Sequence, residues 1–146
     1  MSKAVRISRQ GHFLLNLPAE AAFNLFTAEG ERTWVPGWNP VILGDIPQER
    51  GLIFLTGTGE EFTIWTVLET DPEAMRLSYS RVTPASRAAL VSVSLAPDGE
   101  GCRVDVGYDI TALSPDAASS LDAYSETKFQ QMMGDWRDLI TNMDHD

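Results

Sequence analysis

Apolar and polar positions change their spacing twice along this chain, and each change predicts a different kind of element. Residues 6–17 read as a strand that stops at Pro18. Residues 18–26 then read as a helix, because Ala22, Phe23 and Phe26 fall on one face and a proline is tolerated in a first helical turn. A second short helix is expected within residues 28–34. The loop Val35-Pro36-Gly37-Trp38-Asn39-Pro40 follows, and its two prolines and one glycine exclude regular structure. From there the pattern is one of strands, over residues 41–46, 52–57, 62–69, 75–82, 88–96 and 102–111, each bounded by turn residues. Cys102, Val104, Val106, Tyr108 and Ile110 alternate with Arg103, Asp105, Asp109 and Thr111, as an antiparallel sheet with one dry face requires. The connections are too short for parallel crossovers.

The period changes again near the end. Ser114 is a good N-cap, Pro115 suits the first helical position, and Asp116 lies at the positive end of the dipole. Leu121, Ser125, Phe129, Met132, Trp136, Leu139, Ile140 and Met143 then recur at steps of mostly three and four, so a long amphipathic helix is expected from Ser114 to about Met143. Gly134 weakens it by up to about 1 kcal/mol relative to alanine, which suggests a close backbone approach there. The order of strand, short helices, six strands and long helix predicts an α+β layer in which the helix covers the sheet.

Composition narrows the function classes. The chain has 146 residues, 43% of them hydrophobic, which suits one domain spanning residues 1–146 with a core large enough to need no staple. Eleven Lys and Arg face 21 Asp and Glu, a net charge of −10, so neither nucleic acid nor an anionic membrane is an expected partner. The longest apolar runs, such as Leu52-Ile53-Phe54-Leu55, are strand-sized, and the first residues lack the apolar segment of a signal peptide. A cytoplasmic location is the expectation. The oligomeric state is not legible.

Candidate chemistry is sparse. His12, Cys102 and His145 share none of the spacings of a zinc site, so no metal and no cofactor is expected. Cys102 sits on an apolar strand face and reads as a small buried hydrophobe. His12 has the right intrinsic pKa for a general base, but without a visible partner it reads first as a strand-surface residue. Gly57-Thr58-Gly59-Glu60 lacks the helix and lysine of a phosphate loop and reads as a hairpin. The acidic neighbours Glu60-Glu61, and Asp144 and Asp146 around His145, do not form a catalytic carboxylate pair. No catalytic residue can be singled out.

The order of elements resembles the START-like helix-grip superfamily, also written SRPBCC, which includes birch-pollen-allergen-like proteins and polyketide cyclases. The residues that carry the resemblance are Leu17-Pro18-Ala19-Glu20-Ala21-Ala22-Phe23-Asn24-Leu25-Phe26, the loop Trp34-Val35-Pro36-Gly37-Trp38-Asn39-Pro40, the strand Phe62-Thr63-Ile64-Trp65-Thr66-Val67 and the closing helix. It extends over nearly the whole chain and is nearest to small bacterial members of undefined activity. It implies a curved antiparallel sheet of about seven strands wrapped around the last helix, with a cavity between them.

On that basis the favoured expectation is a binding protein for a small hydrophobic or aromatic molecule. Phe54, Tyr79, Phe129, Met132 and Met133 would supply the apolar wall. Trp34 and Trp38 would cover the entrance, although core packing is an equal reading for both. Trp65 shares a face with Val67, opposite Phe62, Ile64 and Leu68, and its direction stays open. Trp136, on the apolar stripe, reads first as core. Alternation places Arg81 with Met75, Leu77 and Tyr79 on the apolar face, where it would meet Glu61 or an acidic ligand group; a bulge or a rim position would instead turn it to water. Two alternatives remain: a polyketide cyclase- or dehydratase-like enzyme in the same cavity, and a chaperone-cofactor-like protein interaction module.

Overall fold

The computed structural model describes residues 5–143; His145 and its flanking aspartates lie outside that range. Seven strands form one sheet: β1 (Arg6–Leu15), β2 (Val41–Leu43), β3 (Ile53–Thr56), β4 (Thr63–Asp71), β5 (Arg76–Thr83), β6 (Arg87–Asp98) and β7 (Gly101–Ala112). Their spatial order is β1-β7-β6-β5-β4-β3-β2, and every neighbouring pair is antiparallel. This is the α+β helix-grip arrangement expected from the order of elements. The alternation in β7 holds as read, with Cys102, Val104, Val106, Tyr108 and Ile110 all buried. In β4 the open question is resolved: Thr63, Trp65 and Val67 point inward, and a register shift between Val67 and Glu69 bends the strand.

Between β1 and β2 the chain forms α1 (Ala19–Phe23), a 3-10 turn over Asn24–Phe26 and another over Gly30–Thr33. Pro18 precedes the helix and its carbonyl accepts the amides of Ala21 and Ala22, so the start lies one residue later than the pattern suggests. The first strand likewise ends at Leu15. At these ends the hydrophobic pattern outlasts the hydrogen-bonded ladder.

The long helix from Ser114 is corrected. Ser114 Oγ accepts only the Ala117 amide, at 3.1 Å, and the chain continues as a 3-10 segment over Ala118–Tyr124 before α2 (Glu126–Thr141) begins. Ser119, Ser120 and Asp122 compete for backbone hydrogen bonds and favour such breaks. Arg9 Nε takes the Tyr124 carbonyl at 2.8 Å, while Ser125 turns extended and caps α2 by accepting the Lys128 amide. The close approach expected at Gly134 is also absent, since the nearest atom to an added Cβ there is an arginine side-chain nitrogen at 3.9 Å. α2 buries Phe129, Met133 and Ile140 and lies against β1, where Gly11 makes room for Met133: a Cβ on Gly11 would fall 2.7 Å from Met133 Cγ. No helix among the described residues is long and apolar enough to cross a membrane.

Candidate functional site

At the end of the interior nearest β4 and β5, α2 does not close fully on the sheet. A cavity of about 270 Å³ remains between β4–β7, the Gly30–Thr33 turn, the tryptophan loop and α2. A wider hollow of about 360 Å³ lies on the outer sheet face around Gln10, Ser92 and Gly107, but it is open to solvent. The inner cavity is the one that combines aromatic walls with buried ionisable groups, as ligand sites do.

Arg81 follows Leu77 and Tyr79 on the inner face of β5 and points into this cavity. Its guanidinium lies 4.6 Å from the centroid of the Trp65 ring, a cation–π arrangement, and it makes no ion pair among the described residues. The rim or bulge alternative is therefore set aside. Glu61 is not its partner, because that carboxylate pairs with Arg87 at 3.2 Å. Arg87 is itself only 9% exposed and rests over the Tyr124 ring at 5.6 Å. Glu61, largely exposed, puts this ion pair at the border between the cavity and solvent.

The acid that faces Arg81 is Glu31. Its position follows from local chemistry in the turn. Thr27 Oγ1 donates to the Asn24 carbonyl at 2.8 Å and accepts the Gly30 amide at 2.9 Å. Gly30 is required there, because a Cβ would stand 1.7 Å from the Asn24 carbonyl oxygen. Arg32 then ties the turn down, donating to Glu29 at 3.0 Å and to the Pro40 carbonyl at 2.9 Å. Between these anchors Glu31 sends its side chain inward. Its backbone and stem remain partly accessible, while the carboxyl is sunk among the cavity walls. Burial pushes that carboxyl from 4.5 up to about 8, and the Arg81 charge offsets part of the shift. No hydrogen bond or ion pair engages it among the described residues.

Two tyrosines complete the polar end. Tyr79 donates to the Phe26 carbonyl at 2.6 Å and accepts from Gln48 Nε2 at 3.1 Å, so its hydroxyl is committed to the scaffold. Gln48 holds this arrangement from a left-handed backbone (φ 62°), an uncommon state for a non-glycine residue, and also accepts the Ala28 amide at 2.8 Å. Tyr108, on β7, turns its ring toward Phe129 and Trp136 and lies beside Arg81 in the cavity. Burial raises both phenols, and the Glu31 carboxylate adds to this in each case.

The nine residues expected to bind ligand separate into two groups. Trp38, Trp65, Tyr79, Arg81 and Met132 line the cavity. Trp34, Phe54, Phe129 and Met133 do not. Trp34 is 5% exposed, donates its indole N–H to the Leu25 carbonyl at 2.7 Å and packs edge-on against Phe26 and Trp136; it is core and covers no entrance. Phe54 stacks behind Trp65 with a centroid separation of 5.4 Å. Phe129 and Met133, 1% and 2% exposed, fill the space between α2 and the sheet. Trp38 is half-buried over the cavity, its N–H bonded to the Ala28 carbonyl at 2.8 Å. Trp136, read first as core, reaches the cavity wall as well.

Glu31, Tyr108 and the Glu61–Arg87 pair were missed. No periodic signal marks Glu31, which stands in a 3-10 turn among charged neighbours. Arg87 was findable, because it alternates with the apolar Ala89, Val91 and Val93 of β6. Cys102 is fully buried and its thiol is raised by that burial, which suits packing and not nucleophilic attack. His12 is exposed on β1. Among the described residues no three His, Cys, Asp or Glu side chains gather as a metal site.

No family model matches the chain, and no curated protein matches it. Solved structures do. Norcoclaurine synthase from Thalictrum flavum, in complex with dopamine and hydroxybenzaldehyde, superposes with a TM-score of 0.68 at 12% identity, over 98% of this chain and 91% of that one. Ara h 8.0201 gives a TM-score of 0.64 at 11% identity over 90% and 98%. A protein from Thermobifida fusca gives 0.64 at 20% identity over 83% of each chain. At such identities the shared property is the fold, and it is the helix-grip fold of the superfamily that the sequence resembles.

Proposed function

We propose that the protein binds a small, mainly aromatic molecule carrying an acidic or carbonyl group in the cavity between the sheet and α2. The observation that carries this reading is Arg81, a guanidinium set inside an aromatic cavity without an ion-pair partner among the described residues. A charge in such a place is costly unless something compensates it. Stacking on Trp65 compensates part, and a ligand oxygen would compensate more. Trp38, Trp65 and Trp136 supply flat apolar walls, and Met132 an adaptable one. At about 270 Å³ the space falls just below the usual range for drug-sized ligands, which favours a molecule of one or two rings. The similarly folded synthase holding dopamine and hydroxybenzaldehyde is consistent with single-ring occupants.

Calorimetric titration of wild type and Arg81→Met with phenylpyruvate and with uncharged phenylacetone tests the reading. The substitution should weaken phenylpyruvate by about 1.5–3 kcal/mol, the range of charge-assisted hydrogen bonds, and leave phenylacetone nearly unchanged. Equal effects on both, within about 0.5 kcal/mol, would remove Arg81 from the site.

A further inference from the structure

We infer that the cavity is also an acid–base site that moves a proton at a carbon next to a carbonyl group, with Glu31 as the proton acceptor and Arg81 and Tyr108 as the donors that hold the carbonyl oxygen. The inference rests on the proposed binding of an aromatic carbonyl compound and adds a reaction to it.

Three placements support it. First, Glu31 projects into the cavity from a turn fixed by Thr27, Gly30 and Arg32, and its carboxyl has no hydrogen-bond partner among the described residues. The described residues leave no sealed side-chain oxygen without a partner, so the Glu31 carboxyl is open to the cavity and can meet a molecule that enters it. Second, Arg81 and Tyr108 belong to other elements, β5 and β7, yet line the same cavity as Glu31. Among the described residues Glu31 and Arg81 form no direct ion pair, and both border the open space of the cavity. Third, the remaining ionisable groups that face this space are engaged elsewhere. Tyr79 is bonded to the Phe26 carbonyl and to Gln48, and Glu61 is paired with Arg87, which rests over Tyr124. Glu31 is the carboxyl left free to exchange a proton.

Its environment suits the task. A carboxylate whose conjugate acid titrates near 8 is a stronger base than an ordinary one, and general bases work best when tuned toward the operating pH. The step balances without a co-reactant. Glu31 carboxylate removes a proton from the carbon beside the carbonyl, the C–H electron pair becomes the new C=C bond, and the carbonyl π pair moves onto oxygen. The resulting enolate oxygen is held by the Arg81 guanidinium and the Tyr108 hydroxyl, donors already in place where the charge develops. Glu31 then returns a proton to the same carbon; in heavy water it first exchanges with solvent, so that C–H and D₂O become C–D and HOD.

The test is hydrogen–deuterium exchange at the benzylic carbon of phenylpyruvate, followed by proton NMR in D₂O, with calorimetry on the same samples. Wild type should accelerate exchange over buffer alone by at least about 100-fold, the lower range for general acid–base catalysis, with a rate that rises with pH and levels off above about 8. Glu31→Gln should bind phenylpyruvate with affinity within a few-fold of wild type at pH 7 and lose that acceleration. Exchange undiminished in Glu31→Gln, or a pH profile without the inflection near 8, would overturn the inference. Binding without accelerated exchange would overturn it and leave the binding proposal standing, whereas no binding to wild type would defeat both for this ligand class.

Discussion

Near β1, α1 and the middle of α2 the interior is closed: Phe13, Phe23, Val104, Val106, Phe129, Met133 and Ile140 are each 5% exposed or less. Toward β4 and β5 the same interior holds Arg81, Tyr79, Tyr108 and the Glu31 carboxyl around open space. The contrast lies in how each region satisfies its atoms. The closed end is stabilised by area removed from water, roughly 25 cal/mol per Å², and many residues contribute interchangeably. The open end depends on a few anchors that cannot be exchanged: the Thr27–Gly30 turn, the Gln48 bracket on Tyr79, and the Arg32 tie to Pro40. Stability belongs to the first region, whereas in the second compact filling gives way to a cavity lined by polar and aromatic groups.

Substitutions can break this contrast in graded ways. The largest effect is expected in the closed end, where Phe129→Ala should cost about 3–5 kcal/mol in denaturant unfolding; a loss below 1 kcal/mol would mean that Phe129 borders free space. Met133→Trp, which a cavity position would tolerate, should instead overpack the contact with Gly11.

Next comes Gly30→Ala. It should destabilise by about 1–3 kcal/mol through steric conflict with the Asn24 carbonyl and also displace Glu31, so the pH dependence of stability should flatten together with the melting temperature. An unperturbed melting curve would show that the turn can relax.

A smaller effect with the opposite sign is expected for Glu31→Gln. The folded state holds the Glu31 proton to about 8 while the unfolded chain releases it near 4.5, so the native protein binds more protons between those values. Its stability is therefore fully present below about 4.5 and declines as pH rises toward 8. Glu31→Gln should remove this decline and stabilise the protein at pH 8, with little change at pH 4; equal stability curves for the two proteins would refute the burial of this charge.

The smallest effect belongs to the surface. Arg103 pairs with Asp105 at 3.1 Å with both side chains about half exposed, and Arg103→Ala should stay within about 0.5 kcal/mol. A larger change would show that the outer sheet face also contributes to stability.

The same contrast explains what the sequence made legible. The closed end is written in periodicity: Cys102, Val104 and Val106 alternate along β7, and Phe129, Met133 and Ile140 recur along α2, so the antiparallel sheet and its covering helix could be read from spacing. The open end is assembled from Glu31, Arg81, Tyr108 and Trp136, which come from four elements far apart in the chain. Only Arg81 broke a local pattern and so announced itself. Glu31 lies in an irregular turn where polar residues are ordinary, and its inward direction is fixed by Gly30 and Thr27 in three dimensions. The break before Ser125 was hidden for a related reason, since it depends on Arg9 of β1 reaching the Tyr124 carbonyl.

Three of the four tryptophans, Trp38, Trp65 and Trp136, border the cavity, and Arg81 rests directly on the Trp65 ring. The walls that would receive an aromatic guest are thus also the protein's own fluorophores. Trp34, buried 5.6 Å from Trp136, stands behind that wall and is not itself part of the cavity lining. Arrival of a ring between these indoles would alter the colour and lifetime of their emission, so the occupancy of the cavity can be read in unlabelled protein, with light alone.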